Sequence, residues 1–309
     1  MNGARAVVFA YHDVGVRCLK TLISGGVEVP LVVTVADDPN ETQWYASVED
    51  TARDYGIEVT SPADANTPQL QQRLAALKPD FLFSFYYRSM LKAPLLASAR
   101  CGALNMHGSL LPKFRGRAPV NWAILKGERE SGATLHYMVE RADAGDIVDQ
   151  LAVPILQDDD ARTVFGKVTV AAETILARSL PGLIAGTAPR RPQPIEPGQY
   201  FGRRTPEDGR IDWRWPAHRI HDLVRAVAPP FPSAFATVGK ERWEIHRTRL
   251  AGSAPLAAAA RPQLYGSQGE CLIACADGQL LRLLAAADAH GALDLESLAP
   301  QLAQHPVAL

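Results

Sequence analysis

The sequence predicts an α/β protein, with a mainly parallel sheet and helices in its N-terminal part and a smaller β-barrel carrying one helix after it. Three observations carry this reading. Short apolar runs alternate with segments of helical period through residues 1–187, a proline-rich stretch then breaks the pattern, and beyond it apolar runs pair across turn dipeptides.

In the first part, residues 6–10, 31–35, 81–85 and 102–105 are the apolar runs, spaced as the strands of a Rossmann-like sheet. After Asp158-Asp159-Asp160, which can cap a helix start, Val164, Val168, Ala171, Ala172, Ile175 and Leu176 fall on one helical face, and the first domain is expected to close with that helix near residue 187. From 188 to 200, Pro189, Pro192, Pro194 and Pro197 forbid a helix and predict a stiff, extended connector. In residues 201–309, Ile220, Leu223, Val224 and Val227 mark one short amphipathic helix. Residues 234–238 and 243–250 flank Gly239-Lys240, and residues 271–276 and 279–285 flank Asp277-Gly278, so both pairs read as hairpins, the second with a two-residue turn signal. The alanine-rich residues 257–260 read as part of a surface loop.

Composition narrows the class of function. A chain of 309 residues, 47% hydrophobic and 21% charged, can bury a large core, and a net charge of -1 gives no long-range attraction to nucleic acid or anionic membrane. No apolar run is long enough to span a bilayer and the first residues lack a signal-peptide layout, so the expected location is cytoplasmic, without membrane insertion. Cys18, Cys101, Cys271 and Cys275 are too scattered for a disulfide framework or a zinc pair and are expected to be free, buried or half-buried thiols.

The first strand leads into Ala10-Tyr11-His12-Asp13-Val14-Gly15, which has no Gly-x-Gly-x-x-Gly, and a phosphate-binding Gly-x-x-x-x-Gly-Lys loop is also missing; neither NAD nor ATP chemistry is expected. His218 and His221 lie three apart on the predicted helix, a spacing more often met on a helix surface than at a metal, and no metal site is expected.

The chemistry is concentrated in Asn105-Met106-His107-Gly108-Ser109-Leu110-Leu111-Pro112 and the later Arg141-Ala142-Asp143-Ala144-Gly145-Asp146. On an extended segment Asn105 and His107 leave the same face and can converge on one reacting atom. An amide that donates to an oxyanion, an imidazole that carries a proton and a carboxylate that orients it suit an acyl-type transfer.

These motifs resemble the folate-dependent formyltransferases. Phe83-Ser84-Phe85-Tyr86-Tyr87-Arg88, Lys113-Phe114-Arg115-Gly116-Arg117-Ala118-Pro119 and Phe201-Gly202-Arg203-Arg204-Thr205-Pro206 resemble in particular the branch that acts on UDP-4-amino-4-deoxy-L-arabinose in lipid A modification and polymyxin resistance. The likeness runs over nearly the whole chain and weakens toward the C-terminus. It implies an OB-like, open C-terminal barrel, and Asn105, His107 and Asp143 as oxyanion donor, proton carrier and orienting carboxylate. It also implies 10-formyltetrahydrofolate as co-substrate, bound at Ser89, Met90 and Leu91, at Arg117, and along Val139, Glu140, Arg141, Ala142 and Asp143. Taken singly, Arg88, Lys113, Arg115 and Arg117 also read as ordinary solvated charges.

For the acceptor, the resemblance implies a UDP-linked amino sugar, with another nucleotide-linked amino sugar or initiator tRNA as alternatives. A tRNA-binding domain needs excess positive charge. Residues 201–309 hold 12 Lys and Arg against 11 Asp and Glu, a net of +1, so no nucleic acid partner is expected. Arg203 and Arg204 are the candidate diphosphate ligands, with Tyr87 and Trp122 as further candidate substrate contacts. The bifunctional relatives of this branch continue into a second, dinucleotide-binding enzyme, whose residues this sequence does not include, so the chain reads either as a stand-alone enzyme or as one domain of such a protein.

Overall fold

The computed structural model describes residues 3–39, 42–196, 200–253 and 261–309. The alanine-rich stretch predicted as a surface loop lies outside them. The chain divides into two compact units, the first made of residues 1–119, 130–154 and 165–202, the second of residues 120–129, 155–164 and 203–309.

The first unit is built on β1 (Arg5–Ala10), α1 (His12–Ser24), β2 (Glu28–Val33), α2 (Val48–Asp54), β3 (Glu58–Thr60), α3 (Pro68–Leu77), β4 (Phe81–Phe85), α4 (Ala93–Leu96) and β5 (Gly102–His107). The strands lie in the order β3-β2-β1-β4-β5, all parallel. Burial on both faces explains the unbroken apolar runs, since Val7, Val8, Phe9, Leu82, Phe83 and Phe85 are all solvent-free. Two of the helix starts carry side-chain caps. Ser47 accepts from Asp50 N at the head of α2, and Thr67 accepts from Leu70 N ahead of a first-turn proline in α3.

Past β5 come a two-residue strand β6 (Arg115–Gly116), the short helix α5 (Pro119–Leu125), and two strands that the apolar-run criterion overlooks, β7 (Glu130–Tyr137) and β8 (Ile147–Pro154). β7 runs antiparallel to β5 and β8 antiparallel to β7. Helix α6 (Ala161–Ile184) follows, and Asp160 caps it by accepting from Thr163 N at 2.7 Å. The face read from the sequence, Val164 to Leu176, is the buried one. The described residues of the proline-rich connector are non-helical and tied to the sheet by a bridge between Arg191 and Ile147; β9 (Tyr200–Phe201) then pairs with β6.

The second unit holds α7 (Ala217–Ala226), β10 (Ala234–Val238), β11 (Glu241–Ser253), β12 (Gln263–Ser267), β13 (Glu270–Ala274), β14 (Gln279–Asp288), β15 (Gly291–Ala292), α8 (Leu295–Gln304) and β16 (Val307–Ala308). Its strands form an antiparallel sheet in the order β10-β11-β14-β13-β12-β16, an open half-barrel around a core that includes Ile220, Leu223, Val224, Trp243, Ile245 and Leu281. The Gly239-Lys240 hairpin forms as expected. The Asp277-Gly278 hairpin forms with a wider loop than a two-residue turn: Cys275 N donates to Gln279 O, and of the two turn residues only Gly278 has positive φ, at 74°. A two-residue type I′ turn needs positive φ at both positions, which Asp277 does not adopt.

Three of the four thiols are buried, and the fourth, Cys101, is exposed, against the expectation that all would be at least partly covered; all are free. His221 is a core residue rather than half of a metal pair. Its Nδ1 meets Thr248 Oγ1 and its Nε2 meets Gln157 O, both at 3.0 Å, and burial pushes its pKa down. Among the described residues no helix is long and apolar enough to cross a membrane.

Candidate active site

On strand β5, Leu104 and Met106 share one buried face, and Asn105 and His107 share the other. The register of the sheet sets their neighbours. Asn105 lies opposite Ser84 on β4 and opposite His136 on β7, and His107 lies opposite Thr134.

Asp143 arrives from the loop between β7 and β8. Tyr137 N donates to Asp146 O at the base of that loop, and Gly145 packs so closely there that a Cβ would fall 2.0 Å from the Tyr137 carbonyl oxygen. The Asp143 carboxylate is thereby delivered to Asn105 and His107 of β5. Its Oδ1 lies 3.4 Å from Asn105 Nδ2 and 3.6 Å from both His107 Nδ1 and His136 Nε2. Its Oδ2 accepts from Gly116 N at 2.9 Å. Burial alone would raise the Asp143 carboxyl, but His107, His136 and the Gly116 N–H outweigh it and hold the group well below the usual carboxylate range.

His107 is more enclosed than its position at a strand end suggests, with 6% of its surface exposed. Its Nε2 donates to the Phe114 carbonyl at 2.9 Å, which can only accept, so Nδ1 is the nitrogen that faces Asp143. A proton taken up on Nδ1 meets the carboxylate. An amide, an imidazole with a carboxylate behind it and a shielded setting are the parts an acyl-type transfer uses.

Residues 5–180 match the family described as formyl transferase, and residues 203–299 match the one described as formyl transferase, C-terminal domain. The chain belongs to the formyl transferase family. It is thus an enzyme, a one-carbon group transferase. Among solved structures it is similar to the N-formyltransferase from Helicobacter canadensis in complex with folinic acid and dTDP-3-aminofucose, at 21% identity and a TM-score of 0.68 over 91% of this chain and 98% of that one. It is also similar to a 4-N formyltransferase from Francisella tularensis, at 22% identity and a TM-score of 0.61 over 76% and 93% of the two chains. A glycinamide ribonucleotide transformylase from Symbiobacterium toebii is similar at 22% identity and a TM-score of 0.53, over 64% and 93%. At these identities the likeness is one of fold.

In this formyl transferase the loop that follows β5 is fixed by side chains reaching in from the sheet. Thr134 Oγ1 donates to Ser109 O at 2.6 Å and accepts from Leu111 N, while Gln150 Nε2 donates to Leu111 O at 2.8 Å. Arg115, which the sequence grouped with ordinary solvated charges, is only 3% exposed. Its pKa is pushed down by burial and by Arg141, against the pull of Asp143 and Tyr200, and its Nε is buried without a partner among the described residues. The connector contributes Gln193, whose Nε2 donates to the Gly145 and Asp143 carbonyls at 2.6 and 3.2 Å. Neither Gln193 nor His136 stands out in the sequence. A glutamine among prolines and a histidine in a strand carry no motif, and only the antiparallel register places His136 across from Asn105.

The residues assigned to folate are of two kinds. Ser89 and Met90 are exposed, as are Val139, Glu140, Arg141 and Arg117, whose Nη2 donates to the Arg88 carbonyl at 3.4 Å; Ala142 is half-buried. The Leu91 side chain is part of the core, so that position offers a ligand only its backbone. Tyr87, assigned to the acceptor, packs edge-on against Phe9 with ring centroids 5.3 Å apart, a packing position that burial imposes on the ring. In the second unit Arg204 lies over the Trp122 ring, 5.1 Å from its centroid, and donates through Nη2 to Asp208 O at 2.8 Å. Burial lowers the Arg204 pKa, and its Nε has no partner among the described residues; Arg203 is exposed. The two adjacent arginines are therefore in different settings, one stacked and anchored, one exposed.

Proposed function

We propose that this enzyme transfers the formyl group of 10-formyltetrahydrofolate to the amine of a nucleotide-linked amino sugar, with UDP-4-amino-4-deoxy-L-arabinose as the acceptor and lipid A modification as its setting. The observation that carries the reading is the convergence of Asn105, His107 and Asp143, with Asp143 Oδ1 at 3.4 to 3.6 Å from the other two, in a chain of this family. The bound ligands named for the Helicobacter canadensis structure, a formyl folate analogue and a dTDP-linked amino sugar, support the same classes of donor and acceptor. The motifs around Tyr86, Arg117 and Arg203 favour the UDP-arabinose branch within them.

In this reading the acceptor nitrogen attacks the formyl carbon, forming a C–N bond while the carbonyl oxygen gains negative charge. Asn105 donates a hydrogen bond to that oxygen. Collapse breaks the bond to the folate nitrogen, which takes up a proton as the new amide nitrogen gives one up, and His107 carries the proton between them. Asp143 orients the imidazole and balances its charge. Folate is held at Ser89, Met90, the Leu91 backbone, Arg117 and the loop Val139, Glu140, Arg141, Ala142 and Asp143. The acceptor diphosphate is held by Arg204 and Arg203 near Trp122. The near-neutral charge of residues 201–309 favours a nucleotide sugar over initiator tRNA.

A tetrahydrofolate-release assay with UDP-, dTDP- and GDP-linked amino sugars and charged initiator tRNA tests the assignment. Fastest release is expected with UDP-4-amino-4-deoxy-L-arabinose. Fastest release with a dTDP- or GDP-linked sugar replaces the acceptor, and release with tRNA alone removes the sugar reading altogether.

A further inference from the structure

A second imidazole faces Asn105, and its bond to the backbone fixes which nitrogen carries the proton in the neutral ring. Nδ1 of His136 lies 2.8 Å from the Tyr137 carbonyl oxygen, which can only accept, so Nδ1 carries the proton. With the ring neutral, Nε2 accepts from Asn105 Nδ2, which stands 3.1 Å from it, while Asp143 Oδ1 lies farther from the same nitrogen, at 3.6 Å. The other hydrogen of the same amide faces Asp143 Oδ1 at 3.4 Å. Turning the amide over would set its carbonyl oxygen against a lone pair and a carboxylate together. With His136 neutral, Asn105 therefore has one orientation, and both its N–H groups already have partners before any substrate is bound.

The two bonds differ. Asp143 Oδ1 is about equally far from Asn105 Nδ2 and from His107 Nδ1, at 3.4 and 3.6 Å, and both distances exceed those of a well-made hydrogen bond. The bond to His136 is shorter, and His136 is itself locked by Tyr137 and 2% exposed. The amide is thus anchored on one side and loosely shared on the other.

We propose that His136 is a positioning residue for formyl transfer, anchoring the Asn105 amide so that the N–H shared with Asp143 is the one released to the developing oxyanion. The inference rests on the role of Asn105 given above. As His107 takes up a proton on Nδ1, the Asp143 carboxylate is drawn toward it and leaves that N–H free for the formyl oxygen. Without the anchor the amide turns, and its carbonyl oxygen repels the charge it should stabilise.

The two ring nitrogens of His136 can be tested apart. In His136→Asn the side-chain amide sits where Nδ1 was, keeps the bond to Tyr137 and cannot reach Asn105. In His136→Gln the amide oxygen sits near Nε2 and can accept from Asn105 again. Steady-state kinetics of both variants, alone and combined with Asn105→Ala, are compared with thermal melts of each. His136→Asn is expected to lower kcat about tenfold or more with KM for both substrates changed less than about threefold, and His136→Gln to recover most of the loss. In the Asn105→Ala background neither substitution at 136 should cost anything further. A His136→Asn enzyme with wild-type kcat overturns the proposal, as does a Gln variant no better than Asn, or an equal loss in the Asn105→Ala background. Asn105→Ala with full activity would remove the role of Asn105 itself, and this inference with it; loss at Asn105 without loss at His136 removes the inference alone.

Discussion

Gln193 Nε2 donates to the Gly145 carbonyl at 2.6 Å and, at 3.2 Å, to the carbonyl of Asp143 itself. A residue of the proline-rich connector thus clamps the loop that carries the candidate carboxylate. Asp143 has φ of 51°, in the left-handed region, so the loop holds a strained residue that depends on such restraints.

Replacing Gln193 with Leu leaves both carbonyls without this donor. Stability is expected to fall by about 1–2 kcal/mol, read from denaturant melts, and kcat to fall more than KM because Asp143 loses its position. Unchanged kcat would show that the loop holds its shape without the connector.

The pH dependence of stability follows from Asp143. Its carboxyl is held below the ordinary range in the folded protein, so its contribution is complete above the unfolded value, about pH 4, and is lost as pH falls through the folded one. Asp143→Asn should therefore melt below wild type at neutral pH, with the gap closing in acid. A constant gap from pH 7 down to about pH 3 would show that the ionised form is not favoured in the fold.

Much of this arrangement was legible in the sequence, and the rest was hidden for identifiable reasons. Residues 81–85 and 102–105 are apolar enough to read as strands, and Asn105 and His107 share a face because β5 extends to His107 and the side-chain period of a strand is two. β7 is antiparallel and carries Ser131, Thr134 and His136 buried among apolar residues, so neither an apolar run nor a clean alternation marks it. Arg115 looks like any surface cation until β6 pairs with β9, and nothing local in the sequence sets the Tyr87 ring against Phe9. Contacts made by register and by tertiary packing leave no local signal.

The acceptor site makes a prediction about charge. Arg204 stacks on Trp122 with its fork only partly used, so Arg204→Ala should raise KM for the nucleotide sugar about tenfold or more, and Arg204→Lys should restore little, because the planar stacked fork is lost. Affinity should depend weakly on salt, with a log–log slope of about -2 or shallower, since a diphosphate displaces few counterions. A steep slope, or unaltered affinity in Arg204→Ala, would place the acceptor elsewhere.

The most direct measurement is single-turnover formyl transfer from 10-formyltetrahydrofolate to UDP-4-amino-4-deoxy-L-arabinose by the wild-type, Asn105→Ala and His107→Ala enzymes, with folate affinity measured alongside. Each variant is expected to lose about 10²-fold or more in the transfer rate while folate affinity stays within a few-fold. Transfer at near the wild-type rate in either variant would contradict the assignment of Asn105 and His107 to the chemistry.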